Sequence, residues 1–139
     1  MLDPTNATES ITRQVDLDLD PHAAWKAITD REALEAWLGE LVDIDIRPGG
    51  TGVVVDDDVA RTVTVQEVDL GRRWSFHWRS PDDSAPSLVT FEIAPRDDGG
   101  STLTITETLT VRARADNRLA WEARVACLWA YTMAFARAR

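Results

Sequence analysis

The period of the hydrophobic pattern changes once along this chain. From Ile11 to Val111 apolar residues alternate with polar ones in short runs broken by turns. From about Ala115 they recur every three or four positions, at Trp121, Val125, Leu128, Trp129, Thr132 (half-apolar) and Phe135, with no proline or glycine among them. The first pattern predicts strands and the second a long helix. Ile11, Arg13, Val15, Leu17 and Leu19 share one face of the first strand; Thr12, Gln14, Asp16, Asp18 and Asp20 share the other. Asp20-Pro21 then predicts a helix start, with aspartate as N-cap and proline in the first turn. Ala24, Trp25 and Ile28 form its inner face. Thr29-Asp30-Arg31-Glu32 reads as a capping box for a second short helix, whose apolar face is Leu34, Trp37 and Leu38 and whose stop is Gly39.

Six further strands are expected: Val42 to Ile46, Val53 to Val55, Val59 to Val68, Arg73 to Arg79, Leu88 to Ile93 and Thr102 to Val111. Arg47-Pro48-Gly49-Gly50, Asp56-Asp57-Asp58, Leu70-Gly71 and Asp97-Asp98-Gly99-Gly100 supply the turns, and Ser80 to Pro86 a proline-bracketed loop. The three adjacent aspartates lack the spaced ligands and distal glutamate of a calcium loop, so they read as a solvated turn. The order is strand, two short helices, six strands, long helix. It predicts an α+β architecture in which a curved antiparallel sheet of about seven strands wraps around the C-terminal helix. Such an arrangement leaves room for a pocket between its two layers, which points to binding.

Composition narrows this picture. A length of 139 residues suits one domain, residues 1–139, with 1–9 as a flexible N-terminal segment. Six tryptophans is a high count; some suit the core, and large rigid rings also suit a cavity wall. A net charge of -9 opposes nucleic acid and anionic membrane surfaces. No stretch resembles a signal peptide or membrane span, so a cytoplasmic location is expected. Cys127 stands alone, which removes disulfides and CxxC metal sites, and its place in the apolar helix suggests a buried, inert thiol. No metal or cofactor is expected.

The order of elements and several local motifs resemble the Bet v 1-like (START-like, SRPBCC) superfamily with its helix-grip fold. The branch most similar is the C-terminal domain of the heat-shock chaperone ATPase activator. The matching segments are Ile11-Thr12-Arg13 through Asp20-Pro21, Ala24-Trp25, and Leu34 to Trp37. They continue with Pro48-Gly49-Gly50, Val65 to Val68 leading into Arg72 to Trp78, Val89-Thr90-Phe91, and Gly99 to Thr106. Ala120-Trp121 resembles the Gly-Trp that opens the family's final helix, with alanine in place of glycine. The resemblance covers roughly residues 10 to 135. It implies a cavity for apolar or amphipathic small molecules between sheet and final helix, and it includes polyketide cyclases and hydrolases. The activator's chaperone-clamping domain has no counterpart in this chain.

Parity and helical spacing turn Trp74, Phe76, Trp78, Phe91, Ile105, Trp121, Val125 and Leu128 toward one interior, and these are the expected ligand-binding wall. His77 belongs to the opposite face and His22 to a helix surface, and neither sits in a nucleophile or metal pattern. Two charges interrupt inward rows: Arg13 among Ile11, Val15 and Leu17, and Glu107 among Leu103, Ile105 and Leu109. Pairing Ile11 with Leu109 and Val15 with Ile105 would set Arg13 opposite Glu107. The pair then reads as a structural ion pair, as a polar anchor for a ligand, or as a glutamate available for acid–base work. The reading adopted is non-catalytic binding of an apolar or amphipathic small molecule. The alternatives are a polyketide cyclase- or hydrolase-like enzyme using Glu107 and Arg13, and an interaction module for a chaperone or regulator. The final helix is apolar on nearly all sides, and that surplus suggests either a homodimer through this helix or cover from the sheet edges and short helices.

Overall fold

A computed structural model describes the backbone of residues 9–83, 85–109 and 115–137, and the side chains of these except 115–117 and 135–137. Seven strands and three helices follow in the order β1 (Glu9–Leu17), α1 (Pro21–Ala27), α2 (Arg31–Trp37), β2 (Leu41–Ile44), β3 (Thr51–Asp56), β4 (Val59–Asp69), β5 (Arg73–Arg79), β6 (Ser87–Pro95), β7 (Ser101–Leu109) and α3 (Ala115–Arg137). The strands form one antiparallel sheet in the order β1-β7-β6-β5-β4-β3-β2. β1 and β2 are therefore opposite edges, and α1 and α2 carry the chain between them. α3 packs against β1 and α2. This is the helix-grip fold. The expected flexible segment 1–9 falls outside the described residues apart from Glu9, which begins β1, and the expected strand end at Val111 also lies outside them.

Local chemistry explains the elements. The Asp20 side chain accepts a hydrogen bond from Ala23 N–H at 2.8 Å, and Pro21 occupies the first turn of α1. The second helix corrects the expected capping box. Its N-cap is Asp30, without a side-chain cap bond, and the Thr29 hydroxyl instead donates to the Trp25 carbonyl at 2.8 Å. Thr29 sits one residue too early, in the turn that follows the Ile28 C-cap of α1. Asp57 and Asp58 adopt φ of 51° and 64°, the two left-handed positions of a tight hairpin turn that matches strand twist. Aspartate tolerates this conformation, which accounts for the acidic run between β3 and β4.

The core lies on the concave face of the sheet, where Val63, Val65, Trp74, Phe76, Trp78, Val89, Phe91, Ile93, Leu103 and Ile105 are all buried. Ile28, Leu34, Trp37 and Leu38 close it from the α1–α2 side, and Trp121 and Leu128 from α3. The burial of α3 departs from expectation. Its inward row is Trp121, Arg124, Leu128 and Thr132, with Val125 only half-buried. Cys127 is exposed, so the expected buried thiol is corrected, and Trp129 is 50% exposed. Each lies to the side of a 3.6-period row that passes through 121, 124, 128 and 132. The side chain of Phe135 is outside the described residues.

Candidate functional site

β5 presents three inward aromatic rings in succession, Trp74, Phe76 and Trp78, each no more than 3% exposed. Trp74 and Phe76 lie 4.9 Å apart between centroids, Phe76 and Trp78 5.5 Å, and Phe91 stands edge-on to Trp74 and Phe76 at 5.5 Å. Trp121 of α3 stacks on Trp78 at 5.8 Å and 28°. The expected wall residues are thus brought to one interior, where the rings pack on one another. Val125 stays at its margin.

The Trp78–Trp121 end of this layer is polar. Glu107 is 3% exposed and accepts three hydrogen bonds. Trp121 Nε1–H donates to Oε1 at 2.8 Å, and Trp78 Nε1–H and Ser87 Oγ–H donate to Oε2 at 2.8 and 2.6 Å. Desolvating a carboxylate is costly, and three donors on its two oxygens offset that cost. Arg124 lies beside it, 6% exposed. Its guanidinium carbon sits 4.7 Å from the Trp121 ring centre and 5.2 Å from that of Trp78. Arg61 reaches the Trp78 ring from β4 at 4.9 Å. Arg61 pairs with buried Val54 and shares its parity with Val63 and Val65, so it belongs to the inward row.

Two cations therefore share one aromatic platform. Arg124 Nη2–H donates to Asp56 Oδ2 at 3.2 Å. Burial and then the neighbouring Arg61 charge lower the Arg124 pKa from its ordinary value; Asp56 and Glu107 oppose that shift. Arg61 Nη1 and Arg124 Nε are buried, and neither has a hydrogen-bond partner.

The expected Arg13–Glu107 pair is corrected. Ile11 stands opposite Glu107, and Arg13 opposite Ile105. Arg13 donates to the Thr12 carbonyl at 2.9 Å and to Glu122 of α3 at 3.3 Å. The register is shifted by two residues from the one expected. Such a shift keeps every apolar residue on its face, so hydrophobic pattern alone cannot detect it. The β6–β7 turn sets the true value: the Ser101 hydroxyl donates to the Leu19 carbonyl at 2.9 Å, and a Cβ on Gly100 would lie 2.8 Å from the Leu17 carbonyl oxygen. Sequence reasoning also passed over Arg61, Arg124, Ser87 and Asp56. A signal existed for two of them, since Arg124 falls three residues after Trp121 and four before Leu128, and Arg61 is two before Val63.

A separate cleft of ≈ 630 Å³ opens between α1, the start of α2 and the later part of α3. Leu19, Ala23, Ala27 and Ala33 give it apolar walls, with Lys26, Tyr131 and Thr132 among its polar lining. Burial raises the Tyr131 pKa, helped by Asp30 and Glu32. Among the described residues no cluster of three or more His, Cys, Asp or Glu side chains is placed to hold a metal ion, and no helix is long and apolar enough to cross a membrane.

Fold and interior together define a helix-grip domain of the START-like class. Residues 18–132 match the family described as Activator of Hsp90 ATPase homolog 1-like protein, and the chain belongs to that family. Among solved structures it is similar to DynU16, from the dynemicin biosynthetic locus, with a TM-score of 0.79 and 20% identity over 88% of this chain and 46% of that one. CalU16 from Micromonospora echinospora gives 0.78 and 18%, over 89% of this chain and 74% of that one. The Aha1 dimer from Colwellia psychrerythraea gives 0.76 and 11%, over 89% and 96%. The chain thus spans less than half the length of DynU16. No curated protein sequence matches it.

Proposed function

We infer that this protein binds an amphipathic small molecule between its sheet and α3, without transforming it. The observation that supports this most is Arg124: a cation 6% exposed, lying against two stacked indole rings, with a buried Nε–H that has no partner. An arrangement that costs stability in the interior is characteristic of sites that recognise something. The rings of Trp78 and Trp121 supply an apolar contact surface next to it. Glu107 is committed to three donors, which suits a fixed structural acceptor better than a proton shuttle. Native mass spectrometry of freshly purified protein tests the reading. A retained small molecule, lost in Trp121→Ala, is the expected result. Failure to bind any apolar or amphipathic probe overturns it.

The ≈ 630 Å³ cleft supports a second location for the same kind of ligand, because its size falls in the range of small-molecule pockets. Filling it with Ala27→Phe separates the two: uptake unchanged in that variant leaves the Trp78–Trp121 end as the site.

The outer face of α3 supports self-association. Leu119 is 64% exposed and Trp129 50%, and a similar fold is described as a dimer in the Colwellia protein. Sedimentation at micromolar concentration is expected to show a species heavier than 15.5 kDa that Trp129→Glu dissociates. A monomer throughout removes this part of the proposal.

A further inference from the structure

We propose that Arg61 and Arg124 form a carboxylate-binding subsite, that the ligand is a monoanionic organic acid with an apolar ring or chain, and that Asp56 occupies the subsite in the ligand's absence. This deepens the binding reading above and rests on it.

Three observations carry it. First, two guanidinium groups stand over the same Trp78 ring although they repel, and each has a buried N–H without an acceptor. Five donors in a planar fork suit a carboxylate, and unfilled buried donors are costly. Second, the acceptor that Arg124 does have comes from the surface. Asp56 is the last residue of β3, its side chain 34% exposed, next to the Asp57–Asp58 turn. Its contact is one hydrogen bond of 3.2 Å, not a bidentate clasp. An external carboxylate with two free oxygens makes more contacts than Asp56 does, and Asp56 regains water on leaving. Third, charge selects the class. Arg61 and Arg124 balance Glu107 and Asp56. When a monoanion replaces Asp56 at the arginines the cluster stays neutral, whereas a dianionic phosphate would add a charge beside Glu107. The Trp78–Trp121 pair gives the acid's apolar part its surface.

The test compares 2-naphthoate with the uncharged 2-naphthalenemethanol by calorimetry and by quenching of tryptophan emission. The expected result is that the acid binds about tenfold more tightly or better, the size of one charge-assisted contact. Arg61→Gln and Arg124→Gln should each erase most of that preference, and Asp56→Asn should tighten the acid several-fold while leaving the alcohol unchanged. Circular dichroism establishes which variants fold; Arg61 is only half-buried, so Arg61→Gln carries the test if Arg124→Gln does not fold. Equal affinity for acid and alcohol, or a preference that survives Arg61→Gln, overturns the subsite and leaves small-molecule binding standing. Weaker acid binding in Asp56→Asn overturns the exchange. Binding of neither probe overturns both readings.

Discussion

Trp74 and Trp78 leave the same strand on the same face, both buried, and each donates its indole N–H at 2.8 Å. Their acceptors differ. Trp74 donates to the carbonyl of Ile28, the C-cap of α1, and Trp37 donates to the Ala27 carbonyl of the same helix end at 2.9 Å. Two indoles thus satisfy carbonyls that a helix terminus leaves without intrahelical partners, and they fasten α1 to the sheet. Trp78 donates to the carboxylate of Glu107, beside two arginines. A neutral acceptor makes the Trp74 end a joint. A charged acceptor gives the Trp78 end a buried charge that neighbouring groups have to balance, and those groups are the ones on which the proposed ligand site rests.

The comparison is broken most strongly at the Trp74 end. Trp74→Ala removes a fully buried ring and its tie to α1, and should cost about 3–5 kcal/mol in urea unfolding. A loss below about 1 kcal/mol would mean that the helix end does not depend on this ring. Next comes Glu107→Gln. The amide offers one acceptor oxygen and one NH₂ where Glu107 offers two acceptor oxygens, so its NH₂ meets an indole or hydroxyl donor. The expected cost is about 1–3 kcal/mol in the same experiment, and an unchanged midpoint would contradict the three-donor geometry.

Paired substitutions sharpen the contrast. Trp74→Phe and Trp78→Phe each keep a ring and delete an indole donor. The first removes a hydrogen bond to a neutral carbonyl, about 0.5–1.5 kcal/mol; the second removes one to a carboxylate, about 1.5–3 kcal/mol. Both also lose ring area by the same amount, so their difference reports the acceptor together with the weaker contact a phenyl ring makes with Arg61 and Arg124. Trp78→Phe should therefore be the more destabilising by about 1 kcal/mol. Equal losses would place the two ends on the same footing.

The two ends were also unequally legible in the sequence. Period-2 alternation placed Trp74, Phe76, Phe91 and Ile105 on the inner face, because parity alone decides which side of a sheet a residue takes. Helical spacing placed Trp121 and Leu128 there too. Register was not legible, since a slip of two preserves parity; it moved Arg13 from Glu107 to Ile105 and left Glu107 with partners from β5, β6 and α3. Those partners come from three separate segments. Trp78 and Ser87 meet Glu107 only after strands β5, β6 and β7 are aligned. Arg124 was hidden for a different reason. A charge within an apolar helix is normally assigned to solvent, and here the adjoining indole pair and Asp56 offset the cost of its burial.

The smallest expected effect on stability is at Arg124, and it separates stability from recognition. Its lowered pKa means that the charged form is less stable in the folded protein than in the unfolded chain. For a base the sign is that this cost is present throughout the neutral range and is relieved only at strongly alkaline pH. The Asp56 hydrogen bond and the two ring contacts offset part of it. Arg124→Met keeps a long apolar stem against both indoles and removes the charge. Replacing both members of a buried ion pair by uncharged groups of similar shape is often neutral or stabilising, so the variant to measure is Arg124→Met combined with Asp56→Asn, which leaves Arg61 to balance Glu107. Unfolding free energy at neutral pH should therefore stay within about 1 kcal/mol of the parent, while preference for 2-naphthoate over its alcohol disappears. A loss of several kcal/mol would show that Arg124 holds the sheet to α3, and would make the Trp78 end a joint like the one at Trp74.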